Sequence, residues 1–162
     1  PGEWYYATGN YHLATRELRQ RILALHDAKS RTGKADPRKG EREYADSAWK
    51  RLFDPIGATG VACERDPAGN ILLGTSCWAT TRDLLRLGLL MLDGGRGPGG
   101  EQLVPAGVVE RLLGDEPGFG VNGHYILGWY RLDRLLDLHA CGPALAAIGV
   151  GGQFVVVVPR AD

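Results

Sequence analysis

Hydrophobic residues are spaced differently in the two parts of this chain, and that segregation limits the fold more than any other feature. Through the first two thirds they recur three and four residues apart, whereas the last third carries short apolar blocks rich in Val, Ile, Tyr and Trp. Helix-period and strand-period segments kept apart in this way predict an α+β fold, a helical region beside part of an antiparallel sheet. Tyr11, Ala14, Leu18, Ile22 and Leu25 predict a first helix that ends before Arg31-Thr32-Gly33-Lys34. The charged stretch 34–43, with Pro37 and Gly40, reads as an exposed connection inside the domain. Tyr44, Ala48, Trp49 and Leu52 form a second stripe, stopped at Asp54-Pro55-Ile56-Gly57 because proline cannot continue the hydrogen-bond ladder.

Asp66-Pro67-Ala68-Gly69-Asn70 marks a turn. A third helix is expected after Thr80, an N-cap with Asp83 three residues on, and its apolar face is read as Leu84, Leu85, Gly88, Met91 and Leu92. Gly94 to Gly100 is a turn and not a phosphate loop, since it follows a helix and lacks the Gly-Lys-Ser/Thr ending. A short helix over 105–113 and a loop through Pro117-Gly118-Phe119-Gly120 lead to Tyr125–Tyr130, read as one strand, and a second strand runs over 153–158. That last strand, Phe154 to Val158, needs partners on both sides. With the Pro-Gly opening it suggests one domain over 1–162, cut at both ends.

Charge and cysteine content exclude several classes of function. Nineteen basic and nineteen acidic residues cancel, so the overall field draws in neither nucleic acid nor an anionic membrane surface. No apolar run approaches the roughly 20 residues of a membrane helix, and the first residues do not form a signal peptide. A small neutral or mixed-charge ligand fits this composition better, and the compartment is left open. Cys63, Cys77 and Cys141 are odd in number and widely spaced, which matches neither a disulfide framework nor a paired zinc site; they read as buried thiols. His12, His26, His124 and His139 show no metal spacing and are read as surface or helix-flank residues. Arg82, Asp83 and Arg86 are read as helix-end charges.

Two segments could carry chemistry. Trp4-Tyr5-Tyr6-Ala7-Thr8-Gly9-Asn10 sets a phenol and short polar groups on a turn before a helix, where a tyrosine can move protons if nearby cations lower its pKa from about 10. The same residues also make sense as an aromatic plug with Asn10 capping the helix. Gly149-Val150-Gly151-Gly152-Gln153 opens a strand with glycines, which allow a ligand close to the backbone and an N–H to reach an oxyanion. Plain strand entries carry such glycines too.

Taken in order, four segments resemble the β-lactamase-related serine hydrolase superfamily of class C β-lactamases, DD-peptidases, esterases and 6-aminohexanoate-dimer hydrolases. They are Tyr6 to Asn10 for the Tyr-x-Asn/Ser motif, Leu52-Phe53-Asp54-Pro55-Ile56-Gly57, the helix Ala79 to Gly88, and Gly149 to Gln153 with Pro159 for the Gly-His-x-Gly-Gln strand. The resemblance implies a partial β-lactamase/transpeptidase-like fold and acyl transfer from an ester, amide or β-lactam through a covalent serine, with neither cofactor nor metal. It makes Tyr6 the proton-transfer tyrosine, with Tyr5 as the alternative. Thr8, Val150, Gly151 and Gly152 become substrate-binding positions, and the N–H of Gln153 an oxyanion donor. Val150 stands where the family carries lysine or histidine, and Thr8 where it carries asparagine. Val150 favours an esterase or amidase over a β-lactamase or peptidase and Thr8 suggests a changed substrate; together they also suit a homologue that binds peptidoglycan-like or ester ligands without turnover. Ser47-Ala48-Trp49-Lys50 is the only Ser-x-x-Lys among three serines and four lysines. It follows the tyrosine loop instead of preceding it, so the nucleophilic serine is expected outside this segment.

Overall fold

The structure is a computed structural model that describes residues 6–30, 37–114, 123–137 and 142–159. It is mixed α+β, with two small antiparallel sheets. The described residues fall into two compact units, one comprising Ala7–Thr80 and the other running from Thr81 onward together with Tyr6.

In the first unit α1 spans Gly9–Ser30 and α2 spans Pro37–Ala48. α1 begins and ends where its periodicity predicts, but it is rotated from the expected face. Thr15 and Ile22 are buried, whereas Ala14, Leu18 and Leu25 are exposed. The contact with α2 sets this rotation. Gly40 of α2 is buried, and a Cβ there would lie 2.9 Å from Leu23 Cδ2 and 3.4 Å from His26 Cβ, so glycine lets the helices approach. Arg19 turns inward with them, 2.6 Å from Glu41 of α2 and 6.0 Å from the centre of the Tyr44 ring. The exposed connection expected over 34–43 is therefore corrected. α2 already starts at Pro37, because the first turn of a helix has no use for the missing N–H.

Tyr44, Ile22 and Ile71 form one core cluster of this unit, with Trp49 and Cys63 packed against it, and Phe53, Ile56, Ala58 and Val61 are buried as well. The Tyr44 hydroxyl accepts the Ile71 N–H at 2.8 Å, which satisfies a buried donor and fixes the far loop to α2. After α2 the chain widens into one π-helical turn, Trp49–Phe53, closed by the Asp54 N–H on the Trp49 carbonyl at 2.9 Å. Trp49 Nε1 donates to the Val61 carbonyl at 3.0 Å. Two short strands follow, β1 Ala62–Cys63 and β2 Cys77–Trp78, antiparallel with Cys63 opposite Cys77. A disulfide joins that pair. The expectation of buried thiols is thus overturned for both residues; Cys77 is in fact exposed. Their separation of 14 residues carries no motif. They meet because the expected Asp66–Asn70 turn folds the chain back, with the Asn70 N–H on Asp66 Oδ1 at 2.8 Å and Gly69 at φ 88°. Cys141 lies outside the described residues.

In the second unit α3 spans Thr81–Leu92 and α4 Ala106–Leu113, both as expected in extent. Of the predicted α3 face, Gly88 and Met91 are buried, but Leu85 is 61% exposed and Leu92 is exposed as well. Gly88 explains the shift: a Cβ there would come within 3.2 Å of Val155 Cγ1, so the helix lies on the sheet along Leu84, Gly88 and Met91. At about 100° per residue, Leu85, Leu89 and Leu92 lie to one flank of Gly88, and Leu84 and Met91 lie to the other. The glycine-rich run is a tight turn. The Leu103 and Val104 N–H groups donate to the Gly95 carbonyl at 2.9 and 3.0 Å, and Gln102 Nε2 donates to the carbonyls of Gly94 and Val104.

The sheet is a meander in the order β3 Tyr125–Ile126, β4 Trp129–Arg131, β5 Leu145–Ile148, β6 Phe154–Val157. The single strand expected over Tyr125–Tyr130 is instead a hairpin. Leu127 at φ 47° and Gly128 at φ 91° make its two-residue turn, and Ile126 pairs with Trp129. Positive φ at both positions is the backbone that matches strand twist, and leucine accepts it although Asn-Gly is the usual signal. β5 escaped prediction because Ala146-Ala147 lacks strand propensity. β6 lies within the predicted 153–158, paired only with β5 among the described residues. One sheet face, through Ile126, Leu145 and Val157, packs with Met91, Val109 and Leu112 into the core of this unit.

A buried ion pair closes the end of that sheet. Arg131 and Asp133, 3% and 4% exposed, meet as a fork, Nε to Oδ1 at 3.0 Å and Nη2 to Oδ2 at 2.9 Å. Arg131 Nη1 also donates to the carbonyls of Leu112 and Gly114, and Asp133 Oδ1 accepts the Ala144 N–H at 3.0 Å. The short helix α5, Leu132–Leu135, adds Arg134 donating to the Gly114 and Gly123 carbonyls.

Gly95 has φ 83° and a Cβ there would sit 2.4 Å from the Val104 carbonyl, so Gly95→Ala should cost about 2–4 kcal/mol in urea unfolding. Gly94 has φ 63° and open space, so Gly94→Ala should cost only about 1 kcal/mol. Burial pushes the Asp133 carboxyl up, but the hydrogen bonds from Arg131 and Ala144 and the Arg131 charge outweigh it and hold the carboxyl below the usual range. A depressed folded value contributes stability above the unfolded pKa of about 4 and loses it as pH falls through the folded one. Asp133→Asn should therefore flatten the acid limb of a stability–pH curve, and Arg131→Met, which strands a buried carboxylate, should cost about 3–5 kcal/mol at neutral pH.

Candidate functional site

The sheet face opposite the core carries the first predicted site residue. Alternation along the strands sets Tyr125, Tyr130, Ala146, Ile148, Phe154 and Val156 on that face. Tyr6, 41% exposed, meets Tyr125 edge-to-face with ring centres 5.6 Å apart. Tyr125 meets Tyr130 at 4.8 Å, and His124 stacks on Tyr130 at 6.3 Å. The phenol ring of Tyr6 is thus steadied by aromatic packing while much of its surface stays open to solvent. Tyr5, the alternative tyrosine, lies outside the described residues.

The glycine segment forms the tip of the β5–β6 hairpin. The Gly149 N–H donates to the Gln153 carbonyl at 2.8 Å, the Gly152 N–H donates to the Gly149 carbonyl at 3.1 Å, and Gly152 has φ 81°. This is a three-residue loop whose last position needs positive φ, which accounts for Gly152. Val150 at the tip is fully exposed. The Gln153 side chain folds over Gly149 and Gly151, where an added Cβ would come within 2.5 Å of its amide. Within the sheet Gly149 is two strands across and three residues along from Tyr125, roughly 14 Å by ordinary strand spacings. Tyr130, Ala146 and Ile148 lie between the two positions, and Ala146 there is only 1% exposed.

Thr8 belongs to the other unit. It sits in the turn that starts α1, where the Asn10 and Tyr11 N–H groups donate to the carbonyls of Ala7 and Thr8, both at 3.0 Å. Asn10 is in the first turn of the helix and not the residue before it. Gly74 lies against this turn: a Cβ there would be 3.0 Å from Tyr11 Cβ and 3.3 Å from both His12 Cε1 and Thr8 Cγ2. His12 is half-buried there on the flank of α1, and among the described residues its buried Nδ1 has no hydrogen-bond partner. Nothing in the sequence pattern pointed to Gly74.

Ser47 and Lys50 are occupied with local structure. The buried Ser47 hydroxyl donates to the Tyr44 carbonyl one turn back, at 2.7 Å. Lys50 is exposed and 2.8 Å from Asp46. The Asp46 hydrogen bond and charge push the Lys50 ammonium above its usual pKa, the opposite of what a base that activates serine requires. Both residues line a shallow depression of about 410 Å³ on α2, with Lys39, Arg42, Glu43 and Asp46. Among the described residues no group of three or more His, Cys, Asp or Glu could hold a metal ion. None of the described helices is long and apolar enough to cross a membrane.

Comparison with known proteins finds no family model that matches the chain and no curated protein that matches it.

The hairpin tip yields a prediction of its own. Since Val150 is fully exposed, Val150→His should leave the melting temperature unchanged, within about 0.5 kcal/mol. Gly152→Ala meets no steric neighbour but keeps the left-handed backbone, and should cost about 1 kcal/mol.

Proposed function

We propose that this chain is the tyrosine-loop and glycine-strand portion of a β-lactamase-related serine hydrolase, with a partial transpeptidase-like fold, that cleaves an ester or amide through an acyl-serine intermediate. The observation that carries the reading is the succession of four segments in family order, Tyr6–Asn10, Leu52–Gly57, Ala79–Gly88 and Gly149–Gln153. In the first step a serine outside this segment attacks the substrate carbonyl, and the carbonyl oxygen gains charge beside the Gln153 N–H. The serine proton passes, with Tyr6 assisting, to the leaving alkoxide or amine as the ester or amide bond breaks. Water then releases the acid and restores the serine.

Val150 favours an uncharged substrate. An exposed valine in place of a cation offers nothing to a substrate carboxylate, and Ile148 and Phe154, exposed on the sheet whose Tyr125 packs against Tyr6, suit an apolar acyl group. The same valine, with Thr8, favours the second reading, a homologue that binds peptidoglycan-like or ester ligands without turnover.

Labelling with a fluorophosphonate of the protein that carries this segment behind its upstream Ser-x-x-Lys separates the two. A hydrolase takes up one adduct on serine, and Tyr6→Phe slows it by about 10²–10⁴; absence of any adduct leaves the binding role. The 162-residue chain alone is expected to hydrolyse neither nitrocefin nor p-nitrophenyl esters. Turnover by this chain that Ser47→Ala abolishes would move the nucleophile to Ser47 and sink the proposed order of motifs.

A further inference from the structure

We propose that the loop closed by the Cys63–Cys77 disulfide is a positioning device for Thr8, acting through Gly74, so that the placement of Thr8 depends on whether the two sulfurs are joined. The inference deepens the hydrolase reading, which makes Thr8 a substrate-binding position, and rests on it for that meaning alone.

The loop leaves β1 at Cys63 and returns at Cys77. Inside it the Glu64 N–H donates to the Ser76 carbonyl and the Leu72 N–H to the Glu64 carbonyl, both at 2.9 Å, and Ile71 is carried into the core under Tyr44. The Thr75 and Ser76 N–H groups then turn onto the Leu72 carbonyl at 3.4 and 3.2 Å. Gly74 is the tip of that turn, three residues before Cys77. It is also the residue that touches the start of α1, against Thr8, Tyr11 and His12. One side of the tip is anchored by the buried Ile71. The other side is anchored by β2, which pairs with β1 over only two residues, and Ala62, Cys77 and Trp78 are all exposed. Two solvent-exposed ladder positions and the neighbouring Glu64–Ser76 hydrogen bond hold this side weakly, so the disulfide is its one covalent tie among the described residues. Gly74 has no left-handed φ, so a side chain is excluded there by its neighbours and not by its backbone.

Opening the tie is balanced by a dithiol, and joining it by the corresponding disulfide in the reverse exchange. Two electrons and two protons pass from the dithiol to Cys63 and Cys77, leaving two thiols on the protein and a cyclic disulfide on the reagent. Cys77 is exposed to such a reagent.

The test is NMR on the full chain, oxidised and after dithiothreitol, with a Cys63→Ser/Cys77→Ser variant as a second route to the open state. In the oxidised protein a nuclear Overhauser effect joins the Thr8 methyl to the Gly74 α-protons. Opening should abolish it and speed amide exchange at Tyr11 and His12 by at least about tenfold, while Ile22 in the middle of α1 keeps its protection. In the oxidised protein Gly74→Ala should move the resonances of Thr8, Tyr11 and His12. An unchanged Overhauser effect after reduction, exchange faster by less than about twofold, or Gly74→Ala shifts confined to 72–76 would each overturn the proposal. Loss of protection at Ile22 as well would also overturn it, since the disulfide would then be a general staple. None of these readouts needs turnover, so their failure is distinct from a failure of fluorophosphonate labelling.

Discussion

The unit that begins at Thr81 depends on one buried guanidinium. Its four strands are two to four residues long, too short for their ladders to hold register unaided. Arg131 gathers the pieces that meet at one end of that sheet. It pairs with Asp133 just beyond β4 and reaches the carbonyls of Leu112 and Gly114 at the end of α4, while Asp133 accepts the N–H of Ala144 as β5 begins. Removing two charges from water is costly, and this pair offsets that cost because both sides are filled with short, oriented hydrogen bonds. The register Arg131 to Leu145 and the position of α4 over the sheet are set by the same few atoms.

The two units solve the problem of a small core differently. The later one packs two helices on one face of a sheet, with six buried apolar side chains in one cluster. The Ala7–Thr80 unit buries Ile22, Tyr44 and Ile71 in one cluster and Phe53, Ile56, Ala58 and Val61 beyond it, and adds polar ties that each span a long stretch of chain: the Tyr44 hydroxyl to Ile71, the Trp49 indole to Val61, and Arg19 to Glu41. Net contributions of single hydrogen bonds are about 1 kcal/mol, so this unit rests on several such ties and on a covalent one.

Helices were legible in the sequence because periodicity and stop signals act locally. α1, α3 and α4 have the extents their spacing predicts, and only α2 was shortened, by reading Pro37 and Gly40 as breakers. Which face of a helix turns inward was not legible. Gly40 and Gly88 decide it by allowing close approach, and a glycine gives no hint in one sequence of what it lies against. The sheet was harder. The turn Leu127-Gly128 lacks turn chemistry, β5 is built on alanines, and the Cys63–Cys77 pair is made by the fold of the intervening loop and not by any spacing. Of the candidate site, the tyrosine turn and the glycine hairpin were readable as local shapes. The support of Tyr6 by Tyr125 and of Thr8 by Gly74 joins residues far apart in the chain, which composition and period do not encode.

β6 has a further consequence. Among the described residues its outer edge meets no other strand, and its sequence, Phe154-Val155-Val156-Val157-Val158, has high strand propensity and no charge. Such an edge is a template for another molecule as much as for its own. Pro159 limits it: a residue without an N–H cannot extend a ladder, so pairing between molecules would stop after about five residues. Pro159 thus sets the length of that edge, and with it how much backbone a partner strand could pair.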